Sequence, residues 1–186
     1  PEFDCPQLND SKQLTEKERD ALRPVIEQNA LAWAVAEVDN REIDKINILN
    51  ASILAMQRAI AKLNVRPGFI IVDGNRFKAF EDIPHQTIVK GDAKYLSIAA
   101  ASVLVKTHRD EMITRDHAEY PQYAWDKNKA YPTVAHRKAI QEYGITPLHR
   151  LSFNLTGEKV KPLPKRKRKK NQTQAESLFG SETKKG

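Results

Sequence analysis

Two short apolar runs, each ending on an aspartate beside a glycine, constrain the fold of this chain more than any other feature. The first is IIVDGNR, residues 70–76, in which Asp73 follows three β-branched residues. The second starts at Ile88 with IVKGD and reaches Asp92. Such runs favour buried strands, and the neighbouring glycines allow the backbone to turn. Because the second run leads into a small-residue helical segment, the pair predicts alternating strands and helices, an α/β fold.

Hydrophobic periodicity extends this pattern over residues 1–157, which we interpret as one domain. Thr15 and Glu18 form a capping-box pattern ahead of a first helix. Further helices are predicted from Ile48 onward, over residues 95–120 and over Val134–Tyr143, and Gly144 caps the last of these. Strands are predicted over residues 30–38, 69–72 and 87–89, and residues 39–46 are predicted to form a polar turn.

Charge divides the chain into two parts. The formal net charge is +7, and from Glu158 onward ten Lys and Arg residues stand against three Glu, so residues 1–157 are close to neutral. Residues 158–186 have the composition of a disordered basic tail. The single cysteine, Cys5, rules out an internal disulfide framework and suits a reducing cytoplasm. No apolar run is long enough to cross a bilayer.

Asp73 and Asp92 are candidate ligands for Mg²⁺ or Mn²⁺, because these hard cations prefer carboxylate oxygens. For either pair taken alone, Asp73-Gly74 or Gly91-Asp92, ordinary turn chemistry is the commoner explanation. A site for two-metal phosphodiester hydrolysis also needs three or four carboxylates. The side chains that offer contacts to a phosphate backbone are those of Asn75, Arg76, Lys90, Lys94, Lys106 and Arg109.

Aromatic and imidazole side chains supply further candidates. Tyr131 lies in the proline-pinned segment NKAYPT, where it stacks on a sugar or base, or else packs inside the protein. His136 and His149 lack zinc-site spacing with any cysteine, so we interpret them as structural or phosphate-facing. For any single lysine, a solvated surface position is the commoner explanation.

Taken together, these segments resemble ribonuclease HII, the type 2 ribonuclease H of bacteria. The resemblance covers about 150 residues in order, through LNDSKQL, ALAWAV, EIDKINILNA, IVDGNR, VKGD, SIAAASVLVKTHRD, YPQY, NKAYPT and HRLSF. It implies an RNase H-like fold, a mixed sheet flanked by helices with a helical C-terminal part. It also implies endonucleolytic cleavage of RNA in RNA/DNA hybrids and incision 5′ to single ribonucleotides in duplex DNA.

The resemblance assigns roles to individual residues. Asp73 and Asp92 match two of the family's four metal-binding carboxylates. Tyr131 matches the tyrosine that packs against the ribose, and Lys12 matches a basic position near the substrate backbone. Another RNase H-like nuclease, such as a transposase or resolvase, is a further alternative, and the segments NKAYPT and HRLSF argue against it because they belong to the ribonuclease HII pattern.

Three departures from the family pattern bear on activity. The family's first strand carries an Asp-Glu-Ala-Gly-Arg-Gly motif with the other two metal ligands, and these 186 residues do not contain it. Ala130 replaces a usual glycine, which we expect to strain the loop or to crowd the substrate. Val105 replaces a usual alanine, a milder change that we expect to disturb helix packing. We therefore expect the first β-hairpin to be missing and this chain to be inactive or very weak. The alternative is a non-catalytic nucleic-acid-binding remnant of such an enzyme.

The tail adds two expectations. Residues 165–170, KRKRKK, favour non-specific and salt-sensitive DNA binding. The segment QAESLF, from Gln174 to Phe179, is similar to short peptides that dock on the sliding clamp. Apart from nucleic acid and the clamp, no partner is predicted, and we expect a monomer.

Overall fold

The computed structural model describes Cys5, Leu8 and residues 14–155. Lys12 lies outside the described residues, so its predicted role is not tested. The same holds for the tail from Glu158, with its basic run and its QAESLF segment. The helices of the described part are α1 (Glu16–Asn29), α2 (Asn40–Ile46), α3 (Ile48–Ala61), α4 (Leu96–Glu119), α5 (Trp125–Asn128) and α6 (Val134–Tyr143); its strands are β1 (Ile70–Asp73) and β2 (His85–Ile88).

The two strands form a parallel sheet. Ile70 pairs with His85 and Asp73 pairs with Ile88, so both strands end at the same edge. Ile70 and Val72 are buried together with Ile83 from the loop that joins the strands. A helix-and-strand mixture of this kind confirms the predicted α/β class, with a sheet of two strands in the described part of the chain.

Helix α4 is the longest helix described, and it packs against α1. The shared apolar core includes Leu22 and Ile26 of α1 and Val103 of α4, which is fully buried. At the edge of this contact Arg23 of α1 pairs with Glu111 of α4 at 2.8 Å. Val105 points away from the core and is 54% exposed, so the side chain that departs from the family pattern does not disturb helix packing.

The segment that follows α4 carries a second, aromatic core. A 3-10 turn over Pro121–Tyr123 and the short helix α5 place Tyr123 and Trp125 against Ala139 and Ile140 of α6. Aromatic side chains dominate the energetics of such small cores because each buries a large apolar area.

This C-terminal segment is joined to α2 by hydrogen bonds across a long stretch of sequence. Asn40 Nδ2 donates to the carbonyl oxygens of Pro147 and His149 at 2.8 and 2.9 Å. The carboxylate of Asp44 accepts from the backbone N–H groups of Leu151 and Ser152 at 2.7 and 3.1 Å. These contacts satisfy backbone groups of a segment that has no helix or strand of its own.

Several predicted elements are confirmed. Thr15 and Glu18 form the complete capping box at the start of α1. The α6 helix has the predicted bounds, with Thr133 as its N-terminal cap and Gly144 as its C-terminal cap. Strand β1 ends at Asp73 as predicted, while β2 lies about two residues earlier than expected.

Two local predictions were wrong. Residues 30–38, predicted as a strand, form neither strand nor helix, and Leu31 and Trp33 are 80% and 39% exposed. A strand needs a neighbouring strand to pair with, and the two described strands, β1 and β2, pair with each other rather than with this stretch. Residues 39–46 were predicted as a polar turn, but residues 40–46 form α2. Asp39 caps this helix, and Arg58 of α3 donates two hydrogen bonds of 2.7 and 2.8 Å to the Glu42 carboxylate.

None of the helices in the described part of the chain combines the length and the apolarity needed to span a membrane.

Candidate metal centre

Asp73 and Asp92 lie at the same edge of the sheet. Asp73 is the last residue of β1 and pairs in register with Ile88, the last residue of β2. The N–H of Gly74 donates to the Ile88 carbonyl at 2.9 Å, which extends the pairing by one step. Asp92 follows four residues after Ile88, in a 3-10 turn over Gly91–Ala93. The parallel register therefore places the turn that carries Asp92 beside the end of β1, although Asp73 and Asp92 are 19 positions apart in the sequence.

A hydrogen bond connects the two aspartates through the backbone. The N–H of Gly91 donates to Oδ1 of Asp73 at 2.8 Å, and Gly91 directly precedes Asp92. Asp73 is exposed, whereas Asp92 is only 4% exposed. One carboxylate thus faces solvent at the edge of the sheet, and the other is held inside the turn beside it.

A side chain at position 91 would meet the Ile98 side chain. A Cβ added there would lie 2.6 Å from Cδ1 of Ile98 and 3.5 Å from Oδ1 of Asp73. Ile98 is in the first turn of α4 and is buried. The absence of a side chain at position 91 therefore lets α4 pack directly against the end of β1.

The donor set fits a divalent cation in part. Two carboxylates at one edge are suitable ligands for Mg²⁺ or Mn²⁺. Among residues 14–155, together with Cys5 and Leu8, no group of three or more His, Cys, Asp or Glu side chains is positioned to hold a metal ion. The described residues thus offer two candidate ligands, Asp73 and Asp92, and their role in metal binding remains a prediction.

Tyr131 lies in an exposed loop between α5 and α6. Its side chain is 63% exposed, so the packing alternative is wrong and the ring is available to a ligand. The guanidinium carbon of Arg109 lies 5.5 Å from the centre of the Tyr131 ring. Ala130 has φ +60°, a left-handed conformation that suits glycine, so the expected loop strain at this departure is present.

The predicted phosphate contacts differ in their surroundings. Asn75, Arg76 and Lys90 are exposed near the ends of the strands. Lys94 donates from Nζ to the carbonyl of Val89 at 3.1 Å. The structure does not test the substrate role of these side chains, which remains a prediction.

Two further predicted contacts lie on α4. Lys106 is half-buried and has protein partners. Arg109 is also half-buried and donates from Nη2 to the backbone carbonyl of Lys129 at 2.9 Å. Both side chains thus belong to the protein's own contacts, and their role toward a substrate remains a prediction.

His136 and His149 are structural. Both are buried, their ring centres are 5.3 Å apart, and both contact the Tyr123 and Trp125 rings. Trp125 Nε1 donates to Nδ1 of His136 at 3.1 Å, and the Thr146 N–H donates to Nδ1 of His149 at 3.0 Å. Burial lowers the pKa of both imidazoles, and for His149 the nearby His136 lowers the pKa further.

Sequence reasoning missed the roles of Gly91 and of the Lys129 carbonyl. Gly91 was visible beside Asp92, but a turn glycine has no sequence signal that shows which carboxylate its N–H reaches. The Lys129 carbonyl is a backbone group, so only the folded chain shows that Arg109 binds it.

Comparison with known proteins places these features in a family. Residues 2–156 match the family model described as Ribonuclease HII. The chain is 64% identical over 151 residues to the ribonuclease HII of Bacteroides thetaiotaomicron, which covers 81% of this chain and 76% of that protein. It is 56% identical over 160 residues to the ribonuclease HII of Christiangramia forsetii, covering 86% of this chain and 81% of that protein.

A solved structure shares the fold. The crystal structure of the ribonuclease H2 from Pyrococcus horikoshii OT3 matches with a TM-score of 0.67 over 80% of this chain and 78% of that chain, at 23% identity. The RNase H-like fold predicted from the sequence is therefore confirmed.

Proposed function

The chain belongs to the ribonuclease HII family of metal-dependent ribonucleases H, and from this premise we propose that it incises duplex DNA 5′ to single ribonucleotides and degrades the RNA strand of RNA/DNA hybrids by two-metal-ion hydrolysis. The observation that supports the proposal most strongly is the hydrogen bond from the Gly91 N–H, next to Asp92, to the carboxylate of Asp73 at the end of β1. It places the Asp92 turn beside the Asp73 side chain, and carboxylates in such a position are suitable ligands for the metal ions of a phosphoryl-transfer site.

In this proposal Asp73 and Asp92 hold Mn²⁺ or Mg²⁺. When bound, the ions supply the activation of a water molecule and the stabilisation of the leaving oxygen. Asp73 presents an exposed carboxylate to the substrate side, and the hydrogen bond from Gly91 fixes its orientation. This hydrogen bond exists before substrate arrives, so the Asp73 side chain is already held in place.

The hydrolysis itself is simple to balance. Water adds to the phosphorus on the 5′ side of the ribonucleotide, and the bond from that phosphorus to the preceding 3′ oxygen breaks. The leaving oxygen takes up a proton, which gives a 3′-hydroxyl and a 5′-phosphate. No oxidant or further reactant is needed.

Tyr131 is the proposed ribose contact. A single ribonucleotide in DNA differs from its neighbours by one 2′-hydroxyl, so recognition needs a side chain placed against the sugar. The exposed ring of Tyr131 offers such a surface. Asn75, Arg76, Lys90, Lys106 and Lys12 are the proposed backbone contacts, which position the duplex without reading its sequence.

A second candidate function involves no cleavage. Among the described residues no group of three or more potential ligands is positioned to hold a metal ion, and a non-catalytic nucleic-acid-binding remnant would use the same basic contacts and never cleave. The proposed docking of residues 174–179 on the sliding clamp, the monomeric state and the cytoplasmic location are compatible with either function and remain predictions.

Cleavage of a duplex with one ribonucleotide, in Mn²⁺ and then in Mg²⁺, tests the proposal. Two forms are compared: the 186-residue chain, and a chain with the family's Asp-Glu-Ala-Gly-Arg-Gly strand placed ahead of Pro1. We expect the extended form to cleave strongly and the 186-residue form weakly or not at all.

Two aspartate variants and a matched control test the site itself. Asp73→Asn and Asp92→Asn are expected to abolish cleavage by the extended form. The control is Asp82→Asn, which removes the same charge from an exposed side chain that pairs with Arg66. If the extended form binds the duplex but never cleaves it, the binding-protein function is correct; if Asp73→Asn retains full activity, the proposed metal centre is wrong.

A further inference from the structure

The guanidinium of Arg109 connects α4 to the loop of Tyr131. Nη2 donates to the carbonyl of Lys129 at 2.9 Å, and the guanidinium carbon lies 5.5 Å from the Tyr131 ring centre. The other terminal nitrogen, Nη1, forms an ion pair with Oδ1 of Asp110 at 3.7 Å. One side chain therefore contacts the backbone two residues before Tyr131 and the tyrosine ring itself.

The loop that Arg109 contacts has an unfavourable backbone. Lys129 and Ala130 are consecutive residues with φ +49° and +60°, and neither is glycine. A left-handed conformation costs an L-residue about 1–2 kcal/mol, so the turn persists only because contacts with its surroundings select it.

Other contacts besides Arg109 also support the turn, among them the Lys129 N–H, which donates to the Trp125 carbonyl at 2.9 Å. Asn128 accepts the Ala130 N–H on its side chain and the Tyr131 N–H on its carbonyl, both at 2.9 Å. Nζ of Lys129 pairs with Glu16 of α1 at 3.0 Å, but Glu16 is largely exposed. The bonds from Asn128 are local to the turn, whereas Arg109 is half-buried and anchors the turn to a long helix.

We propose that Arg109 is a positioning residue, which fixes the left-handed turn through the Lys129 carbonyl and orients the Tyr131 ring for the ribose contact. This rests on the proposed function insofar as the ring reads a ribose. Arginine is suited to the task because its planar fork makes a hydrogen bond and a ring contact at once, whereas the point charge of lysine cannot make both in the same geometry.

A direct phosphate contact by Arg109 is the competing interpretation. It predicts an effect that is independent of Tyr131, because a phosphate bond weakens binding to every duplex alike. Positioning predicts that Arg109 matters only while Tyr131 is present. The two interpretations therefore differ in the coupling between the two residues.

The first experiment needs no substrate. Amide hydrogen exchange is measured for the Ala130 and Tyr131 N–H groups in wild type, Arg109→Gln and Arg109→Lys. Losing one hydrogen bond is expected to speed exchange about fivefold to tenfold in Arg109→Gln and by a similar factor in Arg109→Lys. The control, Arg150→Gln, removes the same charge and the stacking of Arg150 on Phe153, at 4.4 Å, and is expected to leave both rates unchanged.

The second experiment measures affinity in Ca²⁺ for an all-DNA duplex and for the same duplex with one ribonucleotide. Arg109→Gln is expected to reduce the preference for the ribonucleotide about fivefold, and to have no such effect in the Tyr131→Ala background. If exchange at Ala130 and Tyr131 is unchanged in Arg109→Gln, or if the two mutations act additively, the positioning role is wrong. If wild type shows no ribonucleotide preference while exchange responds as expected, the positioning role stands and the proposed ribose recognition fails.

Discussion

Replacing Gly91 with alanine tests the contact that links the metal centre to α4. The new Cβ would lie 2.6 Å from Cδ1 of Ile98, whereas carbon atoms in favourable contact are about 3.5–4.0 Å apart. Something must therefore move by about 1 Å. Ile98 is buried at the start of α4, so it has little free space into which it can turn.

Overpacking of this kind costs about 1–3 kcal/mol, and we expect Gly91→Ala to lower the free energy of unfolding by that amount. The matched control is Gly68→Ala, because a Cβ at Gly68 has no atom within 4 Å. Fewer unfolded conformations are expected to make Gly68→Ala neutral or stabilising by up to about 1 kcal/mol. Urea unfolding followed by tryptophan fluorescence measures both variants.

A rescue variant identifies the cause. Ile98→Val deletes the Cδ1 methyl that the new Cβ would meet, at a cost of about 0.5–1.5 kcal/mol by itself. If the clash is the cause, Gly91→Ala and Ile98→Val together are less destabilising than their sum by about 1 kcal/mol or more. Strict additivity, or equal stability of Gly91→Ala and Gly68→Ala, would refute the reasoning.

Two further predictions concern stability. Ala130→Gly removes the cost of a left-handed alanine, about 1–2 kcal/mol. Glycine also gives the unfolded chain more conformational entropy, which lowers the unfolding free energy by about 0.4–1 kcal/mol. We therefore expect a net gain of about 0.5 kcal/mol in urea unfolding, and an unchanged or lower stability would show that the turn is not strained. Burial holds the pKa values of His136 and His149 below 6.5. The unfolded chain therefore binds more protons than the folded chain below pH 6.5. The contribution of the two histidines to the unfolding free energy is complete above that pH and is lost as the pH falls below it. His149→Phe should reduce this slope, whereas His85→Gln, at an exposed position, should retain it.

Local sequence signals predicted the elements that local contacts stabilise. The capping box of Thr15 and Glu18 and the ends of α6 are formed by residues within a few positions of each other. Sequence patterns identify such features because the partners are neighbours in the chain. The same is true of β1, whose apolar run ends at Asp73.

Contacts between distant residues could not be read in the same way. Whether residues 33–39 form a strand depends on a partner, and α2 depends on Arg58 of α3 as much as on its own polar sequence. The two aspartates were identified by their glycines, but only the register of β1 and β2 shows that they share an edge. For Arg109 the sequence indicated a basic side chain, and the fold shows the carbonyl that it binds 20 positions later.

The junction between α2 and the C-terminal segment has a consequence for the order of folding. The Tyr123, Trp125 and His149 rings meet across fewer than 30 positions, as their numbers show, so this aromatic core forms by closing short loops. The bonds from Asn40 and Asp44 span 107 to 109 positions, and closing so long a loop is slow. We expect refolding to bury Trp125 in an early kinetic phase and to dock the finished segment onto α2 in a later one.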